Sequence, residues 1–255
     1  MNALTMIMII VLTMLGASVG SFLNVVALRR SKEEGFLTGR SCCMACGCTL
    51  IWHDLIPVIS WFILFGKCRA CKVRISLRYV LIEIITGFVF ALVFIVFGFA
   101  MMTLLTLAVV MILLAISLID LSTMEIPNGL NMMLVPLAIA AIWIWSDIGL
   151  ASRGLGFFVV SFPMLIVTMI IDRAFGGGDI KLMAVCGFLL GWQNALLAFF
   201  IAILLGGGWA IYLIVTHKRK KGEHMVFGPA LCIGVLLAIL YGEHILAWYL
   251  GLLFF

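Results

Sequence analysis

Apolar residues in this chain cluster into long unbroken runs separated by short polar breaks. Such runs lack the alternation of an amphipathic strand and the one-sided stripe of a soluble helix. A run of about 20 residues is what a helix needs to cross ~30 Å of hydrocarbon. Ala3 to Leu28 is the first; it lacks the basic start, short apolar core and small-residue cleavage site of a secretory signal, so it is expected to be retained. Arg29 to Arg78 is the one long polar region, and Tyr79 to Ile119 is then apolar for 41 residues. As one helix that stretch would span about 62 Å, so two crossings turning near Gly98 are predicted. Further crossings are predicted over Leu130 to Trp145, Leu155 to Ile171, a short Ile180 to Trp192, Ala195 to Val215 and about Pro229 to Leu250. The pattern predicts an all-α polytopic membrane protein of eight transmembrane helices, divided as 1–28 (first helix), 29–78 (polar domain) and 79–255 (seven-helix membrane domain).

Composition supports the bilayer as solvent: 65% of residues are hydrophobic, 11% are charged and mean hydropathy is +1.31. Charge then orients the spans. With Met1 outside, the inner loops collect nine Lys/Arg in residues 29–78, two in 172–181 and four in 216–224, leaving only Arg153 outside. Were Ile180 to Trp192 re-entrant, Lys218-Arg219-Lys220-Lys221 would fall on the outer side, against the positive-inside bias. The cysteine-rich loop is therefore expected at the cytoplasmic face and both termini on the far side. The net charge of +5 is accounted for by this topology and by acidic membrane lipids, and no aromatic-interleaved basic stripe points to nucleic acid.

Six of eight cysteines lie between residues 42 and 71, including Cys43-Met44-Ala45-Cys46 and Cys68-Arg69-Ala70-Cys71 with 21 residues between the pairs. Two such knuckles offer four thiolates to one tetrahedral Zn²⁺, a structural ion for a loop too short to build its own core. Cys42 and Cys48 flank the first knuckle and are alternative ligands; reduced thiols, or disulfides if the topology is inverted, are the other readings. His53 is a further nitrogen candidate or a polar neighbour of Asp54. Cys186 and Cys232 fall within spans and read as small apolar packing residues.

Two carboxylates stand out. Asp120 ends an apolar run, before Leu121-Ser122-Thr123-Met124-Glu125-Ile126-Pro127, where Pro127 removes a donor and helps end the helix. Asp179 follows Gly176-Gly177-Gly178, whose lack of Cβ permits conformations and close approaches barred to other residues. An ionisable group near hydrocarbon costs roughly 2.5 to 3.5 kcal/mol even on lenient scales, so it calls for a partner or a purpose. Two neighbouring carboxylates in a low-dielectric place share a proton, which lets one activate water while the other donates to a carbonyl. The plain reading of Asp179 is a helix N-cap; Asp120, at a helix C-terminus, has no such explanation. Lys181 holds a substrate group or tunes the pair, or else snorkels to the interface. Asp172 pairs with Arg173 or caps a turn. Glu83, a turn inside the second span, is a functional candidate or the partner of a basic loop residue. Glu243-His244 reads as interfacial, and Phe227-Gly228-Pro229 as either a cleft wall or a helix start with proline in the first turn.

Taken in order, these elements resemble the bacterial type IV prepilin leader peptidases. Gly20-Ser21-Phe22-Leu23-Asn24-Val25-Val26, the two Cys-x-x-Cys knuckles, Asp54-Leu55-Ile56-Pro57 with Ser60-Trp61, and Ile75-Ser76-Leu77-Arg78-Tyr79 with Glu83 are similar to that family's signatures. So are the Asp120 segment with Ile126-Pro127, the Gly-x-Gly-Asp element of Gly176 to Asp179 with Lys181-Leu182, and Phe227-Gly228-Pro229. The chain departs from the pattern at Arg29-Arg30-Ser31, where Arg-Leu-Pro is common, and at Val80, where proline is usual. The resemblance implies an intramembrane aspartic protease of the bacterial inner membrane that cuts prepilins and pseudopilins after the glycine ending a short basic leader. It also implies N-methylation of the new amino terminus, usually phenylalanine, with S-adenosylmethionine as donor, although no soluble-type glycine-rich donor loop is present. By match, Asp120 and Asp179 would be catalytic, with Gly176, Gly178, Lys181 and Glu83 supporting; Cys43, Cys46, Cys68 and Cys71 would bind zinc.

Two rivals use the same residues differently. A proton-coupled transporter or channel would employ Asp120 and Asp179 as a proton relay around a glycine break, but leaves the knuckles unexplained. A membrane anchor whose zinc module docks an assembly partner would leave the aspartates as mere helix caps.

Overall fold

Where lipid is the solvent, each backbone N–H and C=O must find its partner inside the chain, and the apolar runs meet that demand as helices. The computed structural model describes residues 2–31, 42–43, 45–49, 51–171, 174–216 and 226–253. Asp172, Arg173 and the run Lys218-Arg219-Lys220-Lys221 lie outside the described residues. Among those described there is no strand, only the isolated bridges Cys42–Thr49 and Lys67–Arg74. The chain divides into two units, Met1–Thr103 and Leu104–Phe255.

The first unit holds α1 (Ala3–Ser31), a single 3₁₀ turn (Trp52–Leu55), α2 (Ile59–Ile63) and α3 (Leu77–Phe97). α3 starts where the Ser76 hydroxyl accepts from the Arg78 N–H at 3.3 Å, an N-cap that satisfies one orphan donor. α1 and α3 pack along small residues. A Cβ on Gly20 would sit 2.8 Å from Thr86 Oγ1, and four residues on, Asn24 Nδ2 donates to the Tyr79 carbonyl at 3.2 Å. Buried Glu83 accepts from the Val58 N–H at 2.7 Å. Val58 itself has φ of +61°, a strained conformation for a β-branched residue, which this carboxylate helps to hold.

The second unit contains most of α4 (Met101–Thr123), then α5 (Asn128–Ile144), α6 (Leu150–Val159), α7 (Ser161–Ile170), α8 (Gly177–Leu190), α9 (Trp192–Val215) and α10 (Gly228–Leu253). The eight predicted apolar segments are all helical. α6 and α7 together make one segment, broken at Val160 because Pro163 has no N–H to donate to the Val159 carbonyl. Among the described residues six segments are long and apolar enough to cross a membrane; α5 and α8, at about 26 and 21 Å, are shorter than ~30 Å of hydrocarbon. The result is a polytopic membrane protein.

α8 is the centre of this unit, packed against α5, α6, α7, α9 and α10. Leu182, Met183, Cys186 and Leu189 on it are at most 2% exposed. Its meeting with α6 is backbone to backbone: a Cβ at Gly156 would run into the Gly187 carbonyl, and the converse holds.

Arg153 corrects the sequence reading. Charge counting treats it as a loop cation, whereas it lies in the first turns of α6 and is fully buried. Its guanidinium donates to five carbonyls. Nη2 bonds Ala141 at 2.8 Å and Trp145 at 2.7 Å at the end of α5. Nη1 bonds Phe188 at 3.3 Å and Leu189 at 3.0 Å at the end of α8, and Nε bonds Ile148 at 3.2 Å. Arginine is suited to this because its fork presents five donors at once, and helix C-termini are where cations are favoured and carbonyls lack partners. Replacing Arg153 with Met keeps the length but strands those acceptors. We expect thermal unfolding in detergent to show a loss of about 3 kcal/mol, against near-zero change if the carbonyls were satisfied without it.

Candidate functional site

Helix α4 ends at Thr123, with Met124 in a left-handed conformation (φ +56°) and its N–H returning to the Asp120 carbonyl at 2.8 Å. This corrects the expectation that Pro127 stops that helix: Pro127 is instead the N-cap of α5. Asp120 is thus one turn from the helix end, 5% exposed. Its Oδ2 accepts from the Gly228 N–H at 2.9 Å, at the first residue of α10.

Asp179 is not the N-cap of α8 but lies at the third position, after Gly176 as cap and Gly177 and Gly178 in the first turn. Its Oδ2 reaches back to the Gly176 N–H at 3.1 Å, the return half of a capping box. The carboxylate is 9% exposed, at the positive end of the helix dipole. Gly178, beside Asp179, packs against Ile126, six residues beyond Asp120. The fold therefore brings the two predicted aspartates to one end of one unit, each held by the N–H of a glycine.

None of the three glycines has a positive φ, so close approach and not unusual conformation is what they supply. A Cβ on Gly178 would lie 2.7 Å from Ile126 Cβ, and one on Gly176 would lie 3.0 Å from Asp179 Oδ2, whereas Gly177 has nothing within 4 Å. This spacing explains why the motif reads Gly-x-Gly-Asp. Lys181 bonds Asn128 Oδ1 at 2.9 Å. Asn131, one turn further along α5, donates from Nδ2 to the Gly178 carbonyl at 3.1 Å. Asn131 carries no signal in the sequence, since its partner is 47 residues away; Phe227-Gly228-Pro229 stood out as a candidate cleft wall, but its partner Asp120, 108 residues away, did not.

In the first unit, Cys43, Cys46, Cys68 and Cys71 converge with all four sulfurs within 4.8 Å of one another. Cys43 Sγ and Cys71 Sγ are 3.8 Å apart, the separation that four sulfurs at about 2.3 Å from a tetrahedral ion require. Cys42 and Cys48 are exposed and stand outside the cluster. The knuckles repeat one backbone design. The first cysteine's carbonyl accepts from Gly47 at 2.8 Å or Lys72 at 3.0 Å, and its N–H donates to Cys48 or Val73, at 2.9 Å in both. Gly47 and Lys72 occupy equivalent left-handed positions, φ +70° and +58°, which glycine adopts freely and lysine does not. Backbone hydrogen bonds from Ala45 and Cys46 hold the Cys43 thiol down at about 6. Asp54, gripped by Arg69 Nη2 at 2.7 Å and Nε at 3.1 Å, is held below the usual carboxylate range and ties the preceding 3₁₀ turn to the second knuckle.

Two family descriptions match the chain: the Bacterial Peptidase A24 N-terminal domain over residues 14–97 and the Type IV leader peptidase family over residues 107–211. A prepilin leader peptidase/N-methyltransferase from Bacillus subtilis (strain 168) is 32% identical over 248 residues, covering 95% of this chain and 98% of the relative. The chain belongs to the type IV leader peptidase family. Proteins of the same description from Pseudomonas putida, 31% identical with 95% and 94% covered, and Aeromonas salmonicida, 30% identical with 86% and 77% covered, are similar along most of its length. No solved structure matches. For this leader peptidase family member, the glycine spacing makes a sharp forecast. In detergent melts Gly177→Ala should be neutral or stabilising by up to about 1 kcal/mol, while Gly178→Ala should destabilise by about 1 to 3 kcal/mol through the clash with Ile126. Equal effects would contradict the packing.

Proposed function

We propose that the protein is an intramembrane aspartic endopeptidase that removes the short basic leader of type IV prepilins and related pseudopilins, cutting after glycine at the cytoplasmic membrane face. Family membership supports the substrate class. What supports the chemistry is that Asp120 and Asp179 are both buried, each with one oxygen held by the N–H of a glycine at a helix start.

That arrangement leaves the second oxygen of each carboxylate for substrate. The pair shares one proton. The ionised member takes a proton from water as it attacks the scissile carbonyl, and the protonated member donates to the developing oxyanion. The proton taken from water then passes to the leaving amine. Burial among apolar helices keeps the charges in a low dielectric, where fixed donors act most strongly.

The four cysteines fit a structural Zn²⁺ in number, donor type and spacing; that ion would fix the two knuckles and take no part in peptide cleavage. The family's second activity, N-methylation of the new amino terminus with S-adenosylmethionine, is proposed on kinship alone. The apolar cavity lined by Leu155, Phe158, Phe162 and Trp192 has no charged side chain to hold the donor's amino-acid end. It does not fit that donor, and no step is assigned to it. We further infer a bacterial inner-membrane location with both termini periplasmic, and the division into 1–28, 29–78 and 79–255.

Full-length protein in detergent, incubated with a prepilin, should give a product whose mass corresponds to cleavage after the leader glycine, and Asp120→Asn and Asp179→Asn should each reduce the rate by at least about 10³-fold while retaining the wild-type melt. Near wild-type cleavage by either variant would sink the dyad. Flux in liposomes without proteolysis would favour the proton relay. Metal analysis of protein purified without chelator should find about one zinc per chain, lost in Cys68→Ser.

A further inference from the structure

Among the described residues three buried side-chain atoms lack a hydrogen-bond partner: Thr106 Oγ1, Asn131 Oδ1 and Asn194 Oδ1. A buried polar atom left unpaired costs about as much as a lost hydrogen bond, so each calls for a reason. Thr106 lies fourteen residues before Asp120 on α4, about 21 Å along the axis. Asn194 sits against Gly242, at the start of α9. Of the three, Asn131 is the one hydrogen-bonded to the residue beside an aspartate, at the Gly178 carbonyl.

The orientation of its amide is fixed by chemistry. The Gly178 carbonyl 3.1 Å away can only accept, so Nδ2 must face it and Oδ1 is the atom left over. Asn131 is 4% exposed, so bulk solvent does not satisfy that oxygen. Asn128, three residues earlier on the same face of α5, holds Lys181. The first turn of α5 therefore grips the first turn of α8 on both sides of Asp179, at residues 178 and 181.

We propose that Asn131 is the third polar member of the peptidase site, with a separate task for each end of its amide. The Nδ2 end is a positioning group: it fixes the Gly178–Asp179 peptide and with it the carboxylate. The Oδ1 end is the acceptor for a backbone N–H of the bound substrate, so the unpaired atom is satisfied when a peptide lies along the site. This deepens the peptidase reading and rests on it. A peptide substrate suits the demand because an extended chain carries donors that helices have already spent.

Two arms test it with full-length enzyme in detergent. In the first, kcat and KM for prepilin cleavage are compared for wild type, Asn131→Asp, which keeps shape and acceptor but loses the donor, and Asn131→Leu, which loses both. Asn131→Asp should lose kcat by about tenfold or more with KM within about twofold, and Asn131→Leu should also raise KM about fivefold. In the second, substrate peptides carry one backbone amide near the cleavage site replaced by an ester. One ester position should weaken cleavage by wild type about fivefold yet leave Asn131→Leu unaffected. If Asn131→Leu fails to melt as a folded protein, Asn131→Ser takes its place under the same criteria. Kinetic constants within twofold of wild type in both variants overturn the proposal, as do ester penalties equal in wild type and variant. Absence of cleavage by wild type would overturn the peptidase reading itself; cleavage insensitive to Asn131 overturns only this inference.

Discussion

The structure turns on keeping two buried carboxylates among apolar helices, with no ion-pair partner for either among the described residues. A carboxylate there survives only if fixed donors replace its hydration. The chain supplies main-chain donors for both: the Gly228 N–H for Asp120 and the Gly176 N–H for Asp179. Each donor belongs to a residue at or next to a helix start, where backbone N–H groups have no helical partner. Glycine is required because the carboxylate comes so near: a Cβ at 228 would lie 2.5 Å from Asp120 Oδ2. Placing donors this way holds the acids without neutralising them by a salt bridge, as the proposed proton transfer requires.

Such a site needs rigid supports, and α8 is anchored at both ends. Asn131 and Asn128 on α5 hold its first turn; Arg153 on α6 holds the last carbonyls of α8 and α5 together. The Gly156–Gly187 approach fixes its depth against α6. Short helices make this economical, since about 21 Å of α8 places Asp179 at one surface and its arginine clamp at the other. In the first unit the knuckles solve a related problem, a polar segment with little core of its own, by gathering four sulfurs and the Asp54–Arg69 pair around two copies of one backbone turn.

What could be read from sequence was what repeats or lies close along the chain. Apolar runs gave the helices, because lipid requires length and tolerates no stripe; Cys-x-x-Cys spacing gave the sulfur cluster. Boundaries were less legible. α8 begins inside the glycine run because Asp179 caps from the third position, and α4 stops at Met124, a residue with no turn preference. Arg153 looked like a loop charge because only the fold reveals five open carbonyls around it. Lys72 hid its equivalence to Gly47 because lysine carries no signal for a left-handed backbone. Asn131 was invisible because its partner is 47 residues distant in the chain.

The proposed chemistry requires Asp120 and Asp179 to work as one unit. A double-mutant cycle on cleavage, with residual rates measured for Asp120→Asn, Asp179→Asn and the combined variant, tests it most directly. Residues acting as a unit predict that the combined variant is no slower than the slower single one. Losses that multiply, leaving it slower by the product of the two single effects, would contradict the account.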